Sequence, residues 1–246
     1  MILNDGEIAS LIAALDQSDK PAIRHAVDTL LACAEESPEL RQILNQRLIE
    51  DGHRNYWPVA YILGHLPQPS NATLTSLLTA LDHAEPDIRW AVALLLVHSA
   101  KANSSVVDLL LELTTDGTSN QKRMALYCIR DLDLRDPASR AALLAGLNDN
   151  DPSVRVASAI CLKERPDLDE PAKQRLLQIY SSDADPRVRN ALAIALAGLG
   201  NPSAEFLKKL KEASESDNHQ AKKAADAALD LLKKTKSASG GSQGDR

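Results

Sequence analysis

Arginine side chains recur through this 246-residue chain at multiples of about 33 residues. The series consists of Arg24, Arg89, Arg123, Arg155 and Arg189. A guanidinium is a planar fork of donors that suits phosphate groups, carboxylates and backbone carbonyls. Such a series could form a track for an anion or hold neighbouring parts of the fold together. The elements that carry the arginines decide between these two roles.

The other residues that could do chemistry show no recognised motif. The six histidines are too scattered for a zinc site at a known local spacing. The chain contains no Gly-rich phosphate loop, no G-x-S-x-G and no H-E-x-x-H sequence. Cys33, Cys128 and Cys161 lie far apart without a CxxC pair, and their odd number excludes a full disulfide framework. We therefore expect no metal, no cofactor, and buried free thiols in a reducing cytoplasm.

Two nearly identical stretches reveal the elements that position these side chains. DPSVRVASAICL covers residues 151–162, and DPRVRNALAIAL covers residues 185–196. With Val154 taken as an anchor, an equivalent position recurs every 32 to 34 residues. The anchors are Ile23, Tyr56, Ile88, Lys122, Val154, Val188 and Ala221. Apolar or small residues at 0, 3, 4, 7 and 8 after the anchor share one face of a helix, here called helix B.

A second apolar series lies upstream of each anchor and predicts a preceding helix A. Its leucines are Leu11, Leu44, Leu77, Leu110, Leu143 and Leu176. Several of the turns between A and B carry a capping Asp or other small polar residue and then Pro, which fits the first turn of a helix. The sequence therefore predicts seven A/B pairs, approximately at 6–16/21–34, 38–50/55–65, 71–82/86–99, 103–115/120–131, 137–147/152–164, 171–181/186–198 and 202–214/219–234.

The pattern D-P-x-V-R-x-x-A resembles the HEAT repeat, especially the short HEAT-like repeats of the phycobilisome-lyase type. The resemblance covers nearly the whole chain and is strongest at Asp151–Leu162 and Asp185–Leu196. It departs in the second pair, where Trp57 replaces the arginine and we expect helix B to start late. We expect an all-α fold, an α-solenoid of about seven HEAT-like helix pairs over residues 1–234, because stacked pairs bury a core that one pair cannot. A disordered Gly/Ser-rich tail is expected at 235–246.

The resemblance also implies a role for the arginine series. Each arginine stands one residue after an anchor, about 100° from the core face, where neighbouring pairs meet. A guanidinium placed there can donate to turn aspartates and helix carbonyls. In the family that this chain resembles, the arginine typically braces adjacent repeats. Bracing is therefore favoured over phosphate binding, and Lys222 takes the equivalent place in the last pair.

A candidate partner site lies on the B helices, which the resemblance makes the inner, concave wall of the solenoid. Positions 2, 5 and 9 after the anchor face away from the core and should line this groove. Large side chains gather at these positions in the second to fourth pairs: Tyr61, His65, Trp90, Met124 and Tyr127. Exposed aromatic and Met clusters are typical of binding hot spots. The alternative is that these residues fill gaps between repeats as part of the core.

The charge and hydropathy of the chain argue against several classes of function. The net charge of −6 and a pI of about 5.5 argue against a protein that binds a nucleic-acid backbone. The longest apolar run, WAVALLLV at 90–97, is far too short to span a membrane. The first ten residues lack the basic and apolar regions of a signal peptide. We therefore expect a cytoplasmic protein.

Three classes of enzyme have HEAT-like folds, and the residues of this chain test each class. No histidine is followed by Glu, which argues against the di-iron chemistry of deoxyhypusine hydroxylase. The acidic balance argues against an alkylpurine DNA glycosylase. Phycobilin lyases have the most similar repeats, but no catalytic residue can be matched. We expect a non-catalytic protein–protein interaction scaffold or adaptor that binds a protein partner on the concave B-helix face. The alternative is a bilin lyase or chaperone-like subunit that acts on a tetrapyrrole-carrying protein.

Overall fold

Helix pairs make up the described part of the chain. The computed structural model describes residues 3–17, 19–50, 56–163, 165, 167–199 and 202–240, and these form fourteen α-helices and no strand. The helices are α1 (Asp5–Leu15), α2 (Lys20–Ala34), α3 (Pro38–Glu50), α4 (Trp57–Gly64), α5 (Asn71–Ala80), α6 (Pro86–Ala100), α7 (Ser104–Asp116), α8 (Ser119–Asp131), α9 (Pro137–Gly146), α10 (Pro152–Leu162), α11 (Glu170–Ser182), α12 (Pro186–Gly198), α13 (Ala204–Ser214) and α14 (His219–Gly240). Odd-numbered helices are A helices and even-numbered helices are B helices. The predicted all-α fold of seven pairs is confirmed.

Side-chain caps set where most of these helices begin. Asp151 and Asp185 each accept a hydrogen bond of 2.8 Å from the backbone N–H two residues on, and each is followed by a proline in the first turn. Asn4 and Thr118 form capping boxes at the starts of α1 and α8. The first N–H groups of a helix have no partner within the helix, so these caps satisfy them and fix the start.

The B helix of the second pair starts late, as the sequence predicts. α4 begins at Trp57, one residue after its anchor Tyr56, whereas α10 begins at Pro152, two residues before its anchor Val154. Tyr56 makes no side-chain capping bond. With 8 residues, α4 is the shortest of the helices in the described part of the chain.

The chain divides into two units, with the first ending at Leu113 and the second beginning at Thr114, inside α7. In the first unit, α2, α4 and α6 pack side by side in chain order, and α1, α3 and α5 each pack on their own B helix. In the second unit, α8, α10, α12 and α14 form a row of the same kind, with α9, α11 and α13 against it. Within each unit the pairs therefore stack as in an α-solenoid.

The core of each unit consists of the two apolar series that repeat in the sequence. The A helices contribute leucines that are fully buried: Leu44, Leu77, Leu110, Leu143 and Leu176. The B helices contribute the buried residues seven positions after the anchors: Leu30, Leu63, Leu95, Ile129, Cys161, Ala195 and Ala228. Small buried residues such as Ala26 and Ala157 let neighbouring helices approach closely.

Three arginines of the periodic series bind the turn that precedes their own helix. Arg155 donates from Nη1 to the carbonyl oxygens of Asp149 at 2.9 Å and Asn150 at 3.2 Å. Arg89 and Arg189 make the same two bonds, to the carbonyls six and five residues before them. These guanidiniums thus satisfy turn carbonyls that have no helical partner.

Two salt bridges connect successive helix pairs of the second unit. Arg155 donates to both carboxylate oxygens of Asp183, at 2.8 and 3.0 Å, and the two side chains are 16% and 6% exposed. Burial acts to raise the pKa of Asp183, but hydrogen bonds led by those from Arg155 outweigh it and hold the pKa below its usual value. Lys122 binds Asp149 at 2.9 Å in the same way, from the fourth pair to the fifth.

The other two arginines of the series, Arg24 and Arg123, do not bind the described carbonyl groups of the preceding turn. Arg24 is exposed and forms no hydrogen bond or ion pair with a described residue. Arg123 makes a long contact of 3.4 Å with Oδ1 of Asn120, and its Nε is buried without a partner. The equivalent sequence position therefore gives an arginine that binds described turn carbonyls in three helix pairs and not in the other two.

The three cysteines are buried free thiols, as the sequence predicts. Burial raises the pKa of Cys128 to about 12, which keeps this thiol protonated and unreactive. In the ranges that the structure covers, no group of three His, Cys, Asp or Glu side chains is placed to hold a metal ion. No described helix combines the length and the apolar character that crossing a membrane requires.

The last helix enters the segment that the sequence assigns to a disordered tail. α14 continues to Gly240. Residues 241–246 of the predicted tail lie outside the described residues.

The burial of the A-helix leucines predicts a sharp difference between two residues of α3. Leu44→Ala should lower the free energy of unfolding by about 2–5 kcal/mol, because it leaves a cavity at a fully buried position. Ile49→Ala is the matched control, since its side chain is 67% exposed, and should change stability by about 0.5 kcal/mol or less. Urea unfolding followed by circular dichroism measures both. Equal losses would contradict this packing.

The Arg155–Asp183 ion pair predicts a second difference, within the arginine series. Arg155→Ala should destabilise the protein by at least about 2 kcal/mol, because it leaves Asp183 buried without its partner. Arg24→Ala should have an effect within about 0.5 kcal/mol, since Arg24 makes no such bond.

The loss of stability caused by Arg155→Ala should depend on pH. A folded pKa of Asp183 below the unfolded value of about 3.9 adds stability above that pH, and this stability is lost as the pH falls through the folded pKa. The gap in unfolding midpoint between wild type and Arg155→Ala should therefore shrink below about pH 4. A gap independent of pH would show that the ion pair is not its source.

Candidate functional site

The structure places three of the predicted groove residues in the first unit. Tyr61 lies on α4, and His65 caps the end of this helix one turn later. Their ring centroids are 4.5 Å apart, and Nδ1 of His65 lies 2.8 Å from the carbonyl oxygen of Tyr61. Burial, together with the charge of Asp28, raises the pKa of Tyr61. Trp90 lies on α6 and is 41% exposed.

The other two predicted residues, Met124 and Tyr127, lie on α8 in the second unit. Met124 is 3% exposed and belongs to the core, so its expected place on an open groove is corrected. Tyr127 is half-buried, and the guanidinium carbon of Arg130 lies 5.1 Å from its ring centroid. Met124 instead fills a gap in the core, which is the alternative for these large residues.

The neighbouring B helices explain why some expected groove positions are buried. Position 5 after the anchor carries Ala93, Ala159 and Ala193, which are 3% exposed or less. Within each unit, every B helix packs against a neighbouring B helix, and this contact covers the flank. On α6 and α10 position 6 is open instead, since Leu94 is 62% exposed and Ile160 is 37% exposed. On these two helices the exposed stripe is therefore displaced from the one that helical angles alone predict.

A cavity of about 460 Å³ opens among the B helices of the first unit, next to the predicted residue Tyr61. Its wall contains the rings of Trp57, Tyr61 and His83. The centroid of Trp57 lies 6.4 Å from that of Tyr61 and 6.2 Å from that of His83, with interplanar angles of 73° and 70°. We call this cavity the aromatic pocket. Its volume lies in the range of about 300–1,000 Å³ that is usual for ligand sites.

Sequence reasoning did not identify Trp57 and His83 as site residues, although both left a signal. Trp57 interrupts the arginine series. His83 stands five residues before its anchor, where the fifth and sixth pairs carry Asp149 and Asp183. Those aspartates accept the backbone N–H two residues on at 2.8 Å, and Nδ1 of His83 accepts the N–H of Glu85 at 3.0 Å. A histidine therefore replaces a turn-capping aspartate and adds an aromatic ring.

The hydrogen bond to His83 requires a neutral imidazole, because Nδ1 must offer a lone pair to accept it. Burial lowers the pKa of His83, and the charges of Arg89 and Lys20 act in the same direction while that of Glu85 opposes them. The carbonyl oxygen of His83 accepts a bond from Arg89. His83 is thus fixed through both its ring and its backbone.

Five charged side chains line the aromatic pocket: Lys20, Arg24, Asp28, Glu85 and Asp87. Lys20 and Glu85 form an ion pair that joins the start of α2 to the residue capping α6. The hydrogen bond from Lys20 lowers the pKa of Glu85. Asp28 and Asp87 have no ion-pair partner among the described residues. The lining carries one more negative than positive charge.

An exposed apolar stripe adjoins the pocket on α6. Trp90 and Leu94 lie three and seven residues after Asp87, so they continue around the helix from its pocket-lining side. Exposed apolar residues also occur on the A side, at Ile43 and Ile49 of α3. The stripe and the pocket together form a surface that can bind a ligand with apolar and polar parts.

The turn at His83 predicts a specific dependence of stability on pH. Because the folded pKa of His83 lies below the unfolded value of about 6.5, its contribution to stability is complete above that pH and is lost as the pH falls. His83→Asn keeps an acceptor without a titrating group and should remove this part of the acid loss. His83→Ala removes the acceptor and should cost about 1 kcal/mol even at pH 7.5.

Thermal unfolding of the three proteins at several pH values between 5 and 7.5 measures both effects. The difference between wild type and His83→Asn is the relevant quantity, because the other histidines titrate in both proteins. If this difference is the same at every pH, His83 does not accept the bond as a neutral ring.

Comparison with known proteins agrees with this repeat architecture. A family model of HEAT repeats matches residues 73–163, 107–197 and 140–230, which together span well over half of the chain. No curated protein sequence matches the chain.

Among solved structures, the complex of CpcE and CpcF of phycocyanin lyase from Nostoc sp. PCC7120 is 23% identical, with a TM-score of 0.51, over 65% of this chain and 99% of that chain. A designed armadillo repeat protein in complex with a peptide is 17% identical, with a TM-score of 0.41, over 92% of this chain and 99% of that chain. Human deoxyhypusine hydroxylase is 16% identical, with a TM-score of 0.38, over 93% of this chain and 96% of that chain.

These likenesses concern the fold, whereas the family model matches the repeated sequence itself. It covers the D-P-x-V-R-x-x-A stretches at Asp151–Leu162 and Asp185–Leu196. The chain therefore belongs to the HEAT repeat family.

Proposed function

We propose that this protein is a non-catalytic interaction scaffold or adaptor that binds a partner protein on its B-helix face. The observation that carries this proposal is the exposure of Trp90 and Leu94 on the face of α6 that also bears Asp87 of the aromatic pocket. Binding energy at protein interfaces is concentrated in a few residues, of which tryptophan is among the commonest. An exposed leucine beside it extends the apolar area that a partner can cover.

The packing of the stacked helices supports this function. Buried residues of α6, among them Val92 and Leu96, fix the helix that carries Trp90 and Leu94. A preformed surface loses little conformational entropy when it binds, so more of the contact energy appears as affinity. A scaffold needs no reacting group, and its mechanism is the display of side chains at a spacing that the repeats fix.

A second candidate is a bilin lyase or chaperone-like subunit that acts on a tetrapyrrole-carrying protein. It is favoured by the fold that the chain shares with the phycocyanin lyase structure, which extends over 99% of that chain. Mixing the protein with a bilin and recording its absorbance tests this candidate. A red-shifted band that saturates at a fixed stoichiometry would favour the lyase, and no change would favour the scaffold.

The scaffold proposal predicts that partner binding depends on the apolar stripe of α6. The double variant Trp90→Ala/Leu94→Ala should reduce recovery of bound proteins at least about tenfold, because it removes the proposed hot spot. The matched control is Ile43→Ala/Ile49→Ala, which truncates two similarly exposed side chains on α3. Affinity purification from the source cells with quantitative mass spectrometry compares both variants with wild type.

Thermal unfolding of each variant should give a midpoint close to that of wild type, since all four side chains are exposed. The proposal stands if the α6 variant loses proteins that the α3 variant retains. It is overturned if the two variants retain the same proteins in the same amounts.

A further inference from the structure

The aromatic pocket has walls from three successive helix pairs. Trp57 and Tyr61 come from α4 of the second pair, and His83 comes from the turn before α6 of the third pair. Ile23 and Val27 of α2 in the first pair add an apolar side. The ring of Trp57 stands at a steep angle to the rings of Tyr61 and His83, so ring faces and edges meet the same space. The π faces of such rings attract cations, and the attraction grows when the cation is partly dehydrated.

The charges around these rings also favour a cation. His83 adds no positive charge, because its Nδ1 accepts a hydrogen bond and its pKa is lowered by burial. Lys20 and Glu85 neutralise each other in their ion pair. Asp28 on α2 and Asp87 on α6 remain, without ion-pair partners among the described residues. The two carboxylates therefore flank the rings of α4 from both neighbouring B helices.

One positive charge opposes this arrangement. Arg24 also lines the pocket, one helical turn before Asp28, and it makes no ion pair with a described residue. Replacement of Arg24 therefore distinguishes a cation site from an anion site. In a cation site Arg24 repels the ligand, whereas in an anion site Arg24 and Lys20 would hold it.

We propose that the aromatic pocket binds the side chain of an arginine of the partner protein. A guanidinium can stack on the ring of Trp57 or Tyr61 while its edge donates to Asp28 or Asp87. Its apolar stem can lie along Ile23 and Val27 while the rest of the partner covers the stripe on α6. This inference rests on the proposed function, since it assigns the cation to the bound partner. The pocket itself can be tested without that partner.

The experiment uses the tryptophan of the pocket as its own reporter. The chain has two tryptophans, so Trp90→Phe leaves Trp57 as the single emitter. N-acetylarginine amide is titrated into this protein, and N-acetylcitrulline amide serves as a probe of nearly the same shape without the charge. We expect a saturable change in Trp57 emission with the arginine probe and binding at least about tenfold weaker with the citrulline probe.

Three variants in the same background test the charges one at a time. Asp28→Asn and Asp87→Asn should each weaken binding of the arginine probe about two- to tenfold, since each removes a favourable charge. Arg24→Ala should strengthen it about twofold or more, since it removes a like charge. Asp108→Asn is the matched control, because Asp108 is an exposed carboxylate of the first unit outside the pocket. It should leave the affinity unchanged within about twofold.

Three results would overturn the proposal. The first is equal binding of the arginine and citrulline probes, which would show a pocket that recognises shape alone. The second is weaker binding in Arg24→Ala, which would indicate an anion site. The third is the absence of any saturable change up to about 10 mM probe, which places the affinity below the weakest useful range.

The same measurements distinguish a pocket that does not bind arginine from a protein that is not a scaffold. If the arginine probe does not bind but Trp90→Ala/Leu94→Ala still loses its partners, the scaffold stands and the pocket assignment falls. If the probe binds and the α6 variant retains its partners, the pocket recognises a cation without serving the proposed interface.

Discussion

Burial of the apolar face of each helix pair by the next pair is the constraint on which this structure depends. A single pair of helices is too small to cover its own apolar residues, so its stability comes from its neighbours. The leucines of the A helices and the residues seven positions after the anchors fill the space between pairs, and small residues such as Ala26 and Ala157 set the distance. Every other feature of the surface is positioned by this repeated contact.

Polar bonds at the turns form a second, less regular layer on this core. A turn between helices leaves carbonyl groups without partners, and Arg89, Arg155 and Arg189 satisfy them. In the second pair the arginine is replaced by Trp57, and the aromatic pocket lies at that position. Local departures from a structural rule often mark functional positions, because a residue freed from bracing the fold can face a ligand.

The sequence predicts the helices of this protein better than it predicts the site, and the reason is physical. Helix positions follow from local signals, such as the apolar period and the caps at Asp151 and Asp185, and even the late start of α4 was expected. Exposure depends on what lies on the flanks of a helix. Helical angles place Met124 and Ala159 away from the core, but neighbouring helices bury them. The pocket was missed because Trp57 and His83 meet only after two pairs have stacked.

The geometry of the aromatic pocket cannot be separated from the stacking of the pairs. Its rings and carboxylates belong to three B helices, and the Lys20–Glu85 ion pair joins the first of these to the third. A shift between any two of these three pairs would change the angles among Trp57, Tyr61 and His83 and the reach of Asp28 and Asp87. The core contacts between these pairs thus determine its shape, and a bound side chain would in turn hold the three pairs at one spacing. In a repeat protein, the packing that stabilises the fold is also what gives a binding site its selectivity.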